Sequence, residues 1–77
     1  MKKLMRVRTN ANNMLVTYDN EEKVVRVLPD SCKININYID LKDVEDDSSW
    51  DIFEDVENIN DVIGNESEII EEIEVDF

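Results

Sequence analysis

The sequence has no histidine and only one cysteine, one glycine and one proline among its 77 residues. Without histidine, the commonest general base and the usual partner of a serine or cysteine nucleophile is missing, so the residue inventory points away from an enzyme. The single glycine, Gly64, lies outside any glycine-rich turn, which excludes the familiar phosphate-cradling loops. One cysteine, Cys32, allows neither an intramolecular disulfide nor a multi-thiolate zinc site, and it fits a reducing, cytoplasmic setting. Beside Lys33 it reads as a small buried or edge residue rather than an activated thiol. Met1, Lys2, Lys3 and Leu4 open as a signal peptide does, but Arg6 and Arg8 interrupt any apolar core, and no run is long enough to span a bilayer.

The largest gap is in positive charge. From Asp43 to Phe77 there are fifteen acidic residues and no Lys or Arg, whereas all eight basic residues lie at or before Lys42. The first 42 residues carry about +3 and the remainder −15, for a net charge of −12. A solvated acidic tail would be poor in β-branched and aromatic residues, yet this half contains Trp50, Ile52, Phe53, Val56, Ile59, Ile63, Ile69, Ile70, Ile73 and Val75. It has enough apolar surface to fold. Residues 1–77 therefore read as a single domain, with a mildly basic β-rich part over 1–42 and a strongly acidic part over 43–77.

Lys3 to Thr9 alternates, with Met5 and Val7 on one side and Leu4, Arg6 and Arg8 on the other, as in a half-buried strand whose second side faces out. Met14–Tyr18 and Lys23–Leu28 flank the polar sequence Asp19-Asn20-Glu21-Glu22 and predict a β-hairpin, which Pro29-Asp30-Ser31 ends. Lys33 to Ile39 alternates again and predicts another strand. Ile52, Phe53, Val56, Ile59 and Ile63 recur at helical spacing, with Ser48 or Ser49 as cap and Gly64-Asn65 as stop, and predict an amphipathic helix. In the tail, Ile73, Val75 and Phe77 alternate with Glu72, Glu74 and Asp76. Strand is the preferred reading, and a helix through Ile69, Ile70 and Ile73 is the alternative. The expected fold is α+β: an antiparallel-rich sheet of four to five strands with one amphipathic helix packed on it. Pairing of the first and last strands would set Arg6 and Arg8 against Glu72, Glu74 and Asp76.

Three groups of residues bear on function. Asp43, Glu45, Asp47, Ser49, Asp51 and Glu54 fall at the first, third, fifth, seventh, ninth and twelfth places of a segment that resembles an EF-hand calcium loop. Ser48 replaces the turn glycine, Glu45 is longer than the usual Asp or Asn, and the preceding segment reads as strand. Asp43, Glu45, Asp47, Asp51 and Glu54 are thus a weak metal candidate; an acidic helix start is the preferred reading, with no cofactor assigned. Trp50 and Phe53 fit the core of so small a domain better than an exposed partner anchor. The carboxylates form the third group. On the expected helix Asp51, Glu54, Asp55 and Asp61 face away from the apolar side, Glu54 and Asp61 about 10 Å apart, while Glu72, Glu74 and Asp76 recur about every 7 Å along a strand.

Rows of fixed negative charge at such spacings imitate a nucleic-acid backbone. In size and composition, chiefly over residues 43 to 77, the chain resembles phage-borne DNA-mimic inhibitors such as anti-CRISPR and anti-restriction proteins. That resemblance implies a protein partner with a basic, nucleic-acid-handling surface, blocked by Asp51, Glu54, Asp55, Asp61, Glu72, Glu74 and Asp76. Direct binding to nucleic acid is disfavoured by the net charge of −12, and no membrane partner is expected. The alternative is an acidic structural or self-associating module, including a homodimer, without mimicry.

Overall fold

Strand β1 (Lys2–Arg8) is the middle of a hydrogen-bonded trio, paired antiparallel on one side with β2 (Asn13–Asp19) and on the other with the last strand. The computed structural model describes residues 2–10, 13–29, 35–39, 44 and 48–75. β2 turns into β3 (Val24–Pro29) through residues 20–23. Asp19 builds that turn, its Oδ1 accepting the backbone N–H groups of Glu21 at 3.0 Å and Glu22 at 3.2 Å, an Asx turn that satisfies donors the ladder leaves open. β4 (Asp51–Phe53) then pairs antiparallel with β3, and β5 (Glu68–Val75) pairs antiparallel with β1. The sheet has five strands in the order β4-β3-β2-β1-β5.

The pleat of this sheet sorts its side chains. Met5, Val7, Val16, Val25 and Val27 lie on the first face, where Val56 and Ile63 bury against them and Met14, Tyr18, Ile59 and Val62 close the margins. On the second face Leu15 packs with Val44 and Trp50, flanked by Leu28 and Ile39. Leu4 shares that face by register, opposite Thr17 of β2 and Ile73 of β5. A strand with both neighbours paired and both faces covered has no outer side. Leu4 is accordingly 1% exposed and Arg6 8%, correcting the expectation that this row faces out.

Two further expectations are overturned. Among the described residues of 33–39, Ile36–Tyr38 form a 3₁₀ turn instead of a strand. Asn35 Oδ1 accepts the N–H of Asn37 at 3.0 Å, so a local side-chain bond replaces a ladder bond, with Ile36 turned inward and Tyr38 outward. The long helix contracts to one turn, α1 (Asn60–Ile63), which Gly64 ends at φ 85° with its N–H on the Asn60 carbonyl at 2.9 Å. Trp50 is buried on the second face and Val56 on the first, so the intervening residues round the sheet edge as β4. Asp55 has φ 57°, a left-handed conformation incompatible with a helix, and Val56 donates its N–H to the Lys23 carbonyl at 2.9 Å. A helix here would also set Asp51 against Asp55 and Glu57 against Asp61 four residues apart, a repulsive spacing.

The outcome is a compact, mostly β domain: a five-stranded antiparallel sheet with one short helix among the described residues. Its radius of gyration is 11.4 Å. Among the described residues no helix is long and apolar enough to cross a membrane.

Candidate acidic interaction surface

The path from β4 to β5 carries the exposed carboxylates across the first face. Asp51 opens β4, Glu54 and Asp55 follow its end, and Asp61 lies in the first turn of α1; all four are exposed. The expected helical row from Glu54 to Asp61 is thereby replaced by a chain that bends around the sheet edge. The bond from Val56 to Lys23 has a second effect, bringing the β2–β3 turn, with exposed Glu21 and Glu22, alongside Asp55 and Glu57. At this end Lys23 Nζ meets Glu57 Oε1 at 2.7 Å. The hydrogen bond and charge of Glu57 hold the Lys23 pKa above its usual value against slight desolvation, with Tyr18 and Asp55 adding to the effect. Asp51, Glu54, Asp55 and Asp61 have no cation within ion-pair distance among the described residues.

The β5 carboxylates differ because they are largely compensated. β1 and β5 are neighbours, as expected, but the register changes the partners. Arg6 lies opposite Glu71 and Arg8 opposite Glu68, and these make the ion pairs, at 3.6 and 2.8 Å. Glu72 instead takes Lys3, Nζ to Oε1 at 2.8 Å, on the first face. That hydrogen bond and the Glu72 charge raise the Lys3 pKa, opposed by slight desolvation and helped by Glu74. Asp76 lies outside the described residues.

The expected carboxylates therefore occupy two places. Asp51 lies on β4 while Glu72 and Glu74 lie on the opposite edge strand, four strand spacings or about 19 Å away. Glu54, Asp55 and Asp61 lie along the crossover, which meets the Glu72 side of the sheet at Ile59. Glu21, Glu22 and Glu57, which join the first group, were not among the residues picked from the sequence. The hairpin pattern locates Glu21 and Glu22 at a turn; only the neighbour of β3 shows that the turn meets residues 55–57.

The remaining candidates resolve separately. Trp50 is core, 6% exposed, whereas Phe53 and Ile52 on the edge strand β4 are 42% and 55% exposed. Of the calcium-loop residues, Asp43, Glu45 and Asp47 lie outside the described residues, as does Cys32. Asp51 belongs to β4 and Glu54 follows it, so no exiting helix begins there. Among the described residues no group of three metal-ligating side chains is gathered. A groove of about 330 Å³ opens on the first face beside β5, lined by Lys3, Met5, Tyr18, Asn20, Ile59, Ile69 and Glu72. Comparison of the chain with protein families, with curated proteins and with solved structures finds no match.

Proposed function

We propose that this chain is a small acidic binding protein that occupies a positively charged, nucleic-acid-handling surface of another protein, in the manner of the DNA-mimic inhibitors it resembles in composition. The observation that supports this reading is the group Asp51, Glu54, Asp55 and Asp61. These residues are exposed and unpaired with cations among the described residues, and at the Asp55 end they are adjoined by Glu57 and the β2–β3 turn with Glu21 and Glu22, where Lys23 meets Glu57. An ordinary surface mixes both signs of charge. A field of one sign steers a basic partner and matches the Lys and Arg that otherwise hold phosphates. Mechanism is then competition: carboxylates take the cationic positions and nucleic acid is displaced. Glu72 and Glu74 contribute less, because Lys3 already offsets part of their charge.

Capture from a bacterial lysate on immobilised protein tests the proposal, with bound proteins eluted by duplex DNA and identified. The control is a triple variant, Glu54→Gln, Asp55→Asn and Asp61→Asn; Asn suits position 55 because it tolerates the left-handed backbone there. The wild type should retain nucleic-acid-binding proteins that duplex DNA releases. The triple variant should fold with an equal or higher Tm, retain less, and show an association rate that depends less on salt. Equal retention by both proteins, or elution indifferent to DNA, rejects mimicry.

A further inference from the structure

β5 ends the sheet. Its inner side pairs with β1, and among the described residues no strand pairs with its outer side. The pairing is regular from Glu71 to Val75, opposite Arg6 to Lys2, and the irregularity falls before it, between Arg6 and Val7. Five regular residues make about 17 Å of edge, and among the described residues no backbone hydrogen bond outside the β1 pairing reaches it, so its outward N–H and C=O groups can template another strand. From Glu72 to Glu74 the side chains alternate in chemistry as well as in direction, while Glu71 lies on the second face paired with Arg6. Glu72 and Glu74 share the first face, and Ile73 lies on the second, opposite Leu4. A strand added here sets its first-face residues beside two carboxylates and the residue between them beside Ile73.

We propose that the outer edge of β5 from Glu71 to Val75 is a docking site for an extended cationic segment of a partner protein, in which Lys or Arg alternates with an apolar residue, added as a sixth strand. Main-chain hydrogen bonds supply affinity in such strand addition, and alternate side chains supply selectivity. Glu72 has one oxygen on Lys3 and a second to offer, while Glu74 has no ion pair within 4.0 Å among the described residues. The groove between Lys3, Met5, Ile59 and Ile69 adjoins Glu72 and accommodates the aliphatic stem of a long cationic side chain. A second copy of this chain is a poor occupant. Twofold pairing about Ile73 sets each copy's Glu72 against the other's Glu74, and pairing about Glu72 or Glu74 sets that residue against itself. The site adjoins the crossover at Ile59 but rests on the β5 edge, so it does not depend on nucleic-acid mimicry.

The probe is the capped peptide acetyl-Lys-Val-Lys-Val-Lys-amide, compared with its fully N-methylated form and with a Glu-for-Lys form, by amide NMR and hydrogen exchange on the full chain. Binding of the first should shift the amides of residues 71–75 and slow their exchange. N-methylation should weaken it by at least about tenfold, and the Glu form should not bind. The double variant Glu72→Gln/Glu74→Gln, still folded, should also lose about tenfold. Undiminished binding of the N-methylated peptide, shifts centred on residues 51–57, or no binding up to about 1 mM overturns the proposal. So does a concentration-dependent dimer that protects β5.

Discussion

Asp19 shows how one carboxylate of this acidic chain is committed to structure rather than to solvent. It is 7% exposed, accepts two backbone N–H groups of the β2–β3 turn, and lies 3.8 Å from Lys2. Burial pushes its pKa up, but the Glu22 and Glu21 amides and Lys2 outweigh that and hold it below the usual 3.8. A carboxylate whose folded pKa is lowered contributes stability at pH values above the ordinary one, and that contribution is lost as pH falls through the folded value. Asp19→Ala should therefore cost about 1 to 2 kcal/mol at neutral pH. The gap from wild type should narrow below pH 3.8, and urea unfolding at several pH values measures both. Asp19→Asn, which keeps the acceptor oxygen, should cost less. A pH-independent gap would mean that shape rather than charge holds the turn.

Strands were legible where a single pattern had a single solution. The alternation in β1, β2 and β3, with a polar sequence whose first residue makes an Asx turn, locates those elements to within a residue. In β5 it marks only the second half, since the strand begins at Glu68 and the alternation at Glu72. Ile52, Phe53, Val56, Ile59 and Ile63 misled because their spacing suits a helix and equally suits an edge strand followed by a crossover that drops Val56, Ile59 and Ile63 onto the first face. Local spacing does not record that Trp50 and Val56 must reach opposite faces of the same sheet. The ion pairs were half legible for a related reason: adjacency of β1 and β5 follows from their complementary charge, but the register that chooses Glu71 and Glu68 over Glu74 is set by backbone pairing. The burial of Leu4 and Arg6 on the second side of β1 is the least expected result and the easiest to test. Were Leu4 on a solvent face, Leu4→Ala would be nearly neutral; at 1% exposure it should cost about 2 to 5 kcal/mol by chemical denaturation.

At the scale of the whole molecule, a charge of −12 acts against compactness, while exposed ion pairs such as Lys23–Glu57 and Arg8–Glu68, screened by solvent, offset it only weakly. Salt weakens both effects, and the longer-range repulsion is the larger. Raising NaCl from about 0.02 to about 0.5 M should therefore raise the calorimetric Tm, with each kcal/mol relieved worth about 4 to 8 °C in a domain of this size. A falling Tm would show that the cross-strand pairs outweigh the repulsion. The pairing of the first and last strands carries a consequence of another kind. Its partners are at least 60 residues apart, Arg8 from Glu68, whereas the β1–β2 and β2–β3 hairpins close over short turns. At about 5 to 20 residues per second of synthesis, β1 waits several seconds between its own emergence and that of β5. During that interval one of its edges is bare and Leu4 lacks Ile73 as a neighbour. The carboxylates made in the meantime give neighbouring nascent copies the same sign of charge, so the chain carries its own protection against edge-to-edge association until its last strand arrives.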